Sequence, residues 1–120
     1  MKRGFLALVA LTIASTTAIA SHSTTAAQIA FLQVENTGIV TVYLAITPGT
    51  DAPITAIPSC VAPDRIGNTY DYVFDSTTPA GKSLLAELIA FRTAGINVWI
   101  SGTGDCGVVS GNETLQQFHG

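Results

Sequence analysis

The chain has 120 residues, 48% of them hydrophobic and only 11% charged, a length that accommodates one small domain. Five basic side chains against eight acidic ones give a formal charge of −3, which excludes the many phosphate contacts of a nucleic-acid binder. Two cysteines far apart, with no clustered ligands around them, exclude a metal-stapled fold.

The first segment reads as a processing signal. Lys2 and Arg3 precede a short apolar run over residues 4–14, and Ala18-Ile19-Ala20 is a small-residue cleavage site. Residues 1–20 are therefore expected to be a signal peptide, with a second cut after Ala27 as an alternative. The apolar run falls short of the roughly 20 residues that span a bilayer, so membrane insertion is not expected and the product should be secreted or periplasmic. Removal of Lys2 and Arg3 leaves Arg65, Lys82 and Arg92 against the eight acids, taking the formal charge from −3 to −5. Residues 21–27 are small and polar and predict a flexible N-terminal arm.

Residues 28–35 and 39–47 predict two strands joined by Asn36-Thr37-Gly38, a turn whose glycine can take positive φ. In the second strand Val40, Val42, Leu44 and Ile46 lie in phase for a core, with Thr41, Tyr43 and Thr47 opposite. Pro48, Pro53, Pro58 and Pro63 then exclude a helix or central strand. Such a long irregular crossing needs restraint in a small domain. Cys60 lies within it. In an exported chain the pair Cys60 and Cys106 allows one connectivity, and an oxidising compartment favours it.

Residues 69–75, TYDYVFD, predict a third strand with Tyr70, Tyr72 and Phe74 in phase. Thr78 followed by Pro79 marks a helix start, Leu84, Leu85, Leu88, Ile89 and Phe91 supply its apolar stripe, and Gly95 its stop. A fourth strand is expected over 96–101 and a short fifth over 113–118. The element order is β-β-β-α-β-β in a single domain over residues 28–120.

Three motifs invite catalytic readings. Gly102-Thr103-Gly104-Asp105-Cys106-Gly107 matches G-x-G-x-x-G, but no helix start follows it, and Asp105 would repel a pyrophosphate. Gly81-Lys82-Ser83 lacks the first glycine of a P-loop, since Ser76 holds that place, and reads as a helix-start glycine beside a surface lysine. Gly-Asp-Cys-Gly resembles the surroundings of a protease thiol, but a base must come from His22 or His119, near the two ends of the mature chain, and a disulfide would consume Cys106. Asp71 and Asp75 are a candidate carboxylate pair whose simpler role is a solvated strand face. Asn112-Glu113-Thr114 is a glycosylation sequon. No catalytic residue, metal or cofactor is assigned.

The binding candidate lies in the fourth strand. With Ile96, Val98 and Ile100 facing the core, Trp99 points outward with Asn97 and Ser101. An indole flanked by an amide and a hydroxyl suits a sugar platform or a subunit contact, and packing of Trp99 beneath the proline-rich crossing is the alternative.

This element order in a small exported domain resembles an OB-type barrel. More narrowly, residues 78–101, TPAGKSLLAELIAFRTAGINVWIS, are similar to the helix-to-strand segment of bacterial AB5 toxin B subunits, the subtilase-cytotoxin and pertussis-like ones in particular. There a long helix ends in a Thr/Gly turn, here Thr93-Ala94-Gly95, before a strand of alternating apolar residues. The resemblance implies a mainly β, OB-fold-like barrel with one helix. It also implies a ring-forming homo-oligomer that binds a host glycan through Trp99 and has no catalytic activity. The serine-centred sugar pocket of those subunits has no counterpart in this sequence. A secreted protein-interaction or inhibitor domain remains the second reading, and a small hydrolase using Cys106 or the aspartates the third.

Overall fold

A computed structural model describes residues 20–23, 26–45, 54–65 and 69–120. The expected leader up to residue 19, Ile46 and Thr47 at the end of the second strand, and residues 48–53 of the proline-rich crossing lie outside the described residues.

The chain is mainly β with one helix and one disulfide. Its strands are β1 (His22–Ser23), β2 (Ile29–Val34), β3 (Ile39–Ala45), β4 (Ile54–Thr55), β5 (Thr69–Asp75), β6 (Trp99–Gly102) and β7 (Glu113–His119), with α1 (Pro79–Ala94) between β5 and β6. They form a mixed sheet in the order β2-β3-β5-β7-β6-β1-β4, in which β5 and β7 run parallel and the other pairs antiparallel. The five longer strands and the helix follow the expected order. The two-residue strands β1 and β4 are additions.

Formation of β2 and β3 follows from the turn: Gly38 takes φ +88°, and the Glu35 and Gly38 amides close the hairpin on Ile39 and Glu35. Val40, Val42 and Leu44 are fully buried, in the predicted phase, and pair with Phe74, Tyr72 and Tyr70 of β5, also buried. This layer, with Val98, Ile100, Leu115 and Leu88 of α1, is the core. Strand β5 is buried on both faces, Val73 and Asp71 on one and Tyr70, Tyr72 and Phe74 on the other. That corrects the solvated strand face expected at Asp71.

Helix α1 starts as its sequence dictates. Thr78 is extended and its hydroxyl accepts from the Gly81 amide at 3.0 Å, Pro79 fills the first turn, and Gly95 ends the helix in a left-handed cap. The cap also explains a difference. The Ile96 amide donates to Phe91 O at 2.9 Å, so Ile96 finishes the helix, and it is 42% exposed where a core strand position was expected. Strand β6 accordingly begins three residues later than predicted.

Residues 21–27, expected as a flexible arm, are anchored at both ends. Ser21 is fully buried, and β1 pairs with β6 and β4. Ala27 exchanges two backbone hydrogen bonds with Val98, at 2.7 and 2.8 Å. This isolated bridge is the contact between the β2 and β6 regions, and the sheet does not close into a barrel.

The predicted disulfide is present: Cys60 and Cys106 are bonded with Cα atoms 6.0 Å apart. The Ala62 amide donates to Gly111 O at 3.0 Å nearby, a second tie between crossing and loop. The prolines in the described part of the crossing behave as their missing N–H requires. Pro58 is buried in a loop, Pro63 opens a single 3-10 turn, and the short β4 sits at the end of the sheet order.

Candidate functional site

The alternation of β6 sets the outward face. Val98 and Ile100 are buried, so Trp99 and Ser101 point the other way, and Trp99 is 40% exposed rather than packed beneath the crossing. Strand pairing supplies their neighbours. His119 of β7 stands opposite Trp99, and the two rings lie nearly parallel at 12° with centroids 6.3 Å apart. Ser101 is flanked by Gln117 of β7 on one side and His22 of β1 on the other. A shallow concavity of about 160 Å³ is lined by His22, Trp99, Ile100, Ser101, Gln117 and His119.

Of the three binding residues predicted from sequence, the structure brings Trp99 and Ser101 together. Asn97 is exposed just before the strand and does not line the concavity. His22, Gln117 and His119 were missed as site residues, because only the pairing of β1 and β7 on β6 brings them to Trp99. The resulting surface offers one aromatic face and a rim of hydroxyl, amide and imidazole groups. An indole can stack on the apolar face of a pyranose while the rim exchanges hydrogen bonds with its hydroxyls.

The glycine loop does something else. Glu113, fully buried at the start of β7, accepts from the Ser21 backbone N at 3.0 Å, the Ser21 hydroxyl, Tyr70 OH at 3.1 Å and the Gly104 amide at 3.0 Å. Since the single Ser21 hydroxyl proton goes to Glu113, Tyr72 OH donates to Ser21 Oγ, 2.6 Å away. Burial, reinforced by the Glu113 charge, pushes both tyrosine hydroxyls well above their usual range, so both stay protonated as donors. A Cβ on Gly102 would stand 2.6 Å from Glu113 Oε2 and closer to its Cδ and Oε1. The G-x-G-x-x-G loop thus cradles the chain's own carboxylate. No local signal in the sequence marked Glu113, which appeared there only as the middle of a sequon; the sequon's Asn112 is itself buried.

The remainder of the loop is self-organised. The Gly107 amide donates to Asp105 Oδ1 at 2.9 Å and, with help from Thr103 and Thr114, holds the Asp105 carboxyl below the usual range. Cys106 is bonded to Cys60, so its sulfur is not a thiolate. Asp75 is occupied at the helix start, where the Thr77 hydroxyl and amide donate to its Oδ1 at 2.6 and 2.8 Å and lower its pKa. Among the described residues no three His, Cys, Asp or Glu side chains cluster for a metal, and no helix is long and apolar enough to cross a membrane.

No protein family, curated protein or solved structure matches this chain.

Proposed function

We propose that this protein is an exported, non-enzymatic binding module, and that the outer face of β6 receives a glycan. One observation carries the reading: Trp99 is exposed, stacked against His119, and set at the mouth of a concavity rimmed by Ser101, Gln117 and His22. Exposed indoles beside hydrogen-bonding groups on a rigid strand suit a ligand that is apolar on one face and polar at its edge. The disulfide fits an oxidising compartment.

An OB-type scaffold of the toxin B-subunit kind is part of the same proposal. Its support is the order of the five longer strands, β2-β3-β5-β7-β6, together with the Ala27–Val98 bridge between the outer two. Such a scaffold is a partly open five-stranded barrel.

A second reading, a protein-interaction or inhibitor domain or a homo-oligomer, rests on β2. This strand ends the sheet order and carries the exposed Phe31, stacked on Tyr43 with centroids 3.8 Å apart, and the exposed Val34. Among the described residues no strand pairs with its outer edge, and a free strand edge with apolar side chains is a template for pairing with another chain.

A glycan array with the exported protein, run beside light scattering, tests both readings. Retention that Trp99→Ala abolishes, with the melting temperature nearly unchanged, is the expected result for the glycan site. A monomer with no retention on the array removes the toxin-like reading, and an oligomer without retention favours the β2 reading.

A further inference from the structure

Glu113 is a fully buried carboxylate whose four hydrogen bonds all come from neutral groups. An anion held this way lacks the charge partner that normally accompanies burial. The nearest candidate is a backbone nitrogen. Ser21 N lies 3.0 Å from Glu113 Oε1, and Ser21 directly follows the small-residue sequence Ala18-Ile19-Ala20.

We propose that a peptidase of the export route cleaves between Ala20 and Ser21, and that the new α-ammonium of Ser21 forms a buried ion pair with Glu113. In that hydrolysis water adds to the Ala20 carbonyl carbon and the C–N bond breaks. Ala20 leaves as a carboxylate, and the Ser21 nitrogen takes up protons to become an ammonium. One N–H donor becomes three, at a position already within hydrogen-bond distance of the carboxylate.

The rest of Ser21 holds the new terminus in place. Its carbonyl accepts from the Gly102 amide at 3.0 Å, its hydroxyl bridges Glu113 and Tyr72, and β1 continues from it along β6 and β4. A cut after Ala27 would discard all of these contacts and leave Glu113 with Tyr70 and Gly104 alone. The contacts of Ser21 therefore favour the cut after Ala20 over the cut after Ala27. Processing then completes the core, and the fully paired carboxylate belongs to the mature chain. This inference does not depend on what the β6 face binds.

The test begins with the full 120-residue chain, expressed with export, followed by intact mass and N-terminal sequencing of the product. Ser21 is the expected first residue; a start at residue 28 or an unprocessed chain overturns the proposal. Periodate then reads the pairing, because it cleaves the amino-alcohol of an N-terminal serine only when the amine is accessible. The folded protein is expected to resist and the denatured protein to react at once; equal rates in both states overturn the ion pair. In Glu113→Gln the folded protein should become periodate-sensitive and its Tm should fall by about 15 °C. Glu87→Gln, on the exposed face of α1, should change neither. If Glu113→Gln does not fold, sequencing and the wild-type periodate comparison still decide. If it folds with unchanged protection and Tm, the pair is refuted.

Discussion

Substituting Gly102 by alanine tests whether the glycine loop exists to seat Glu113. The three atoms nearest an added Cβ all belong to the Glu113 carboxyl group, one of them at 2.6 Å and the others closer. No real Cβ tolerates such contacts, so the carboxylate must move. Its hydrogen bonds from Ser21, Tyr70 and Gly104 are each worth about 1.5–3 kcal/mol as bonds to a charged group. Partial retention is expected as the loop yields, and the reference cost of breaking a buried charged interaction is about 3–5 kcal/mol. That is a large share of the roughly 5–15 kcal/mol that stabilises a domain, and it corresponds to a Tm lower by roughly 15–30 °C. Thermal unfolding followed by circular dichroism measures it directly. The decisive comparison is a double-mutant cycle. In a Glu113→Ala background the obstructing carboxylate is gone, so Gly102→Ala should add little, and the coupling should approach the whole single-substitution cost, about 3 kcal/mol or more. A cost below about 1 kcal/mol for Gly102→Ala alone, or additivity within about 0.5 kcal/mol, would refute the reasoning.

Two further outcomes follow from the same structure. Replacing Cys60 by serine opens the bridge between positions 46 apart and should cost about 4 kcal/mol by the chain-entropy relation, with reductant reproducing the loss in the wild-type protein but not in the variant. Tyr70 and Tyr72, two of the three tyrosines, have folded-state pKa values raised by burial. Their contribution is complete below the unfolded value near 10 and declines as pH rises above it, because the unfolded chain then binds fewer protons. Absorbance at 295 nm should show these two phenols ionising together with alkaline unfolding; their titration in a still-folded chain near pH 10 would contradict their burial.

The proposed binding face and the buried face of β6 are opposite each other. Trp99 and Ser101 face outward, while Gly102, one step on, is buried against Glu113. The separation explains why Trp99→Ala is expected to spare the fold, whereas Gly102→Ala is expected to damage it.

Much of the secondary structure is legible in the sequence itself. The alternation of Val40, Val42 and Leu44, the Thr78-Pro79 helix start, the Gly95 stop and the even cysteine count each act through local geometry or simple pairing, so a linear reading reaches them. The outward phase of Trp99 was legible for the same reason, because a strand alternates whatever it pairs with. Residues 21–27 read as an arm because small polar residues carry no periodicity; the described ones among them are placed by backbone pairing to β6 and by Ser21 reaching Glu113 across 92 positions of chain. Asp71 read as solvated because a strand's own alternation does not say whether its second face is covered. Glu113 was invisible because a carboxylate is buried only where several distant donors converge, and convergence is a property of the tertiary fold alone. The glycines of residues 102–107 were conspicuous from the start, but what they surround was decided by the strand that folds back beside them.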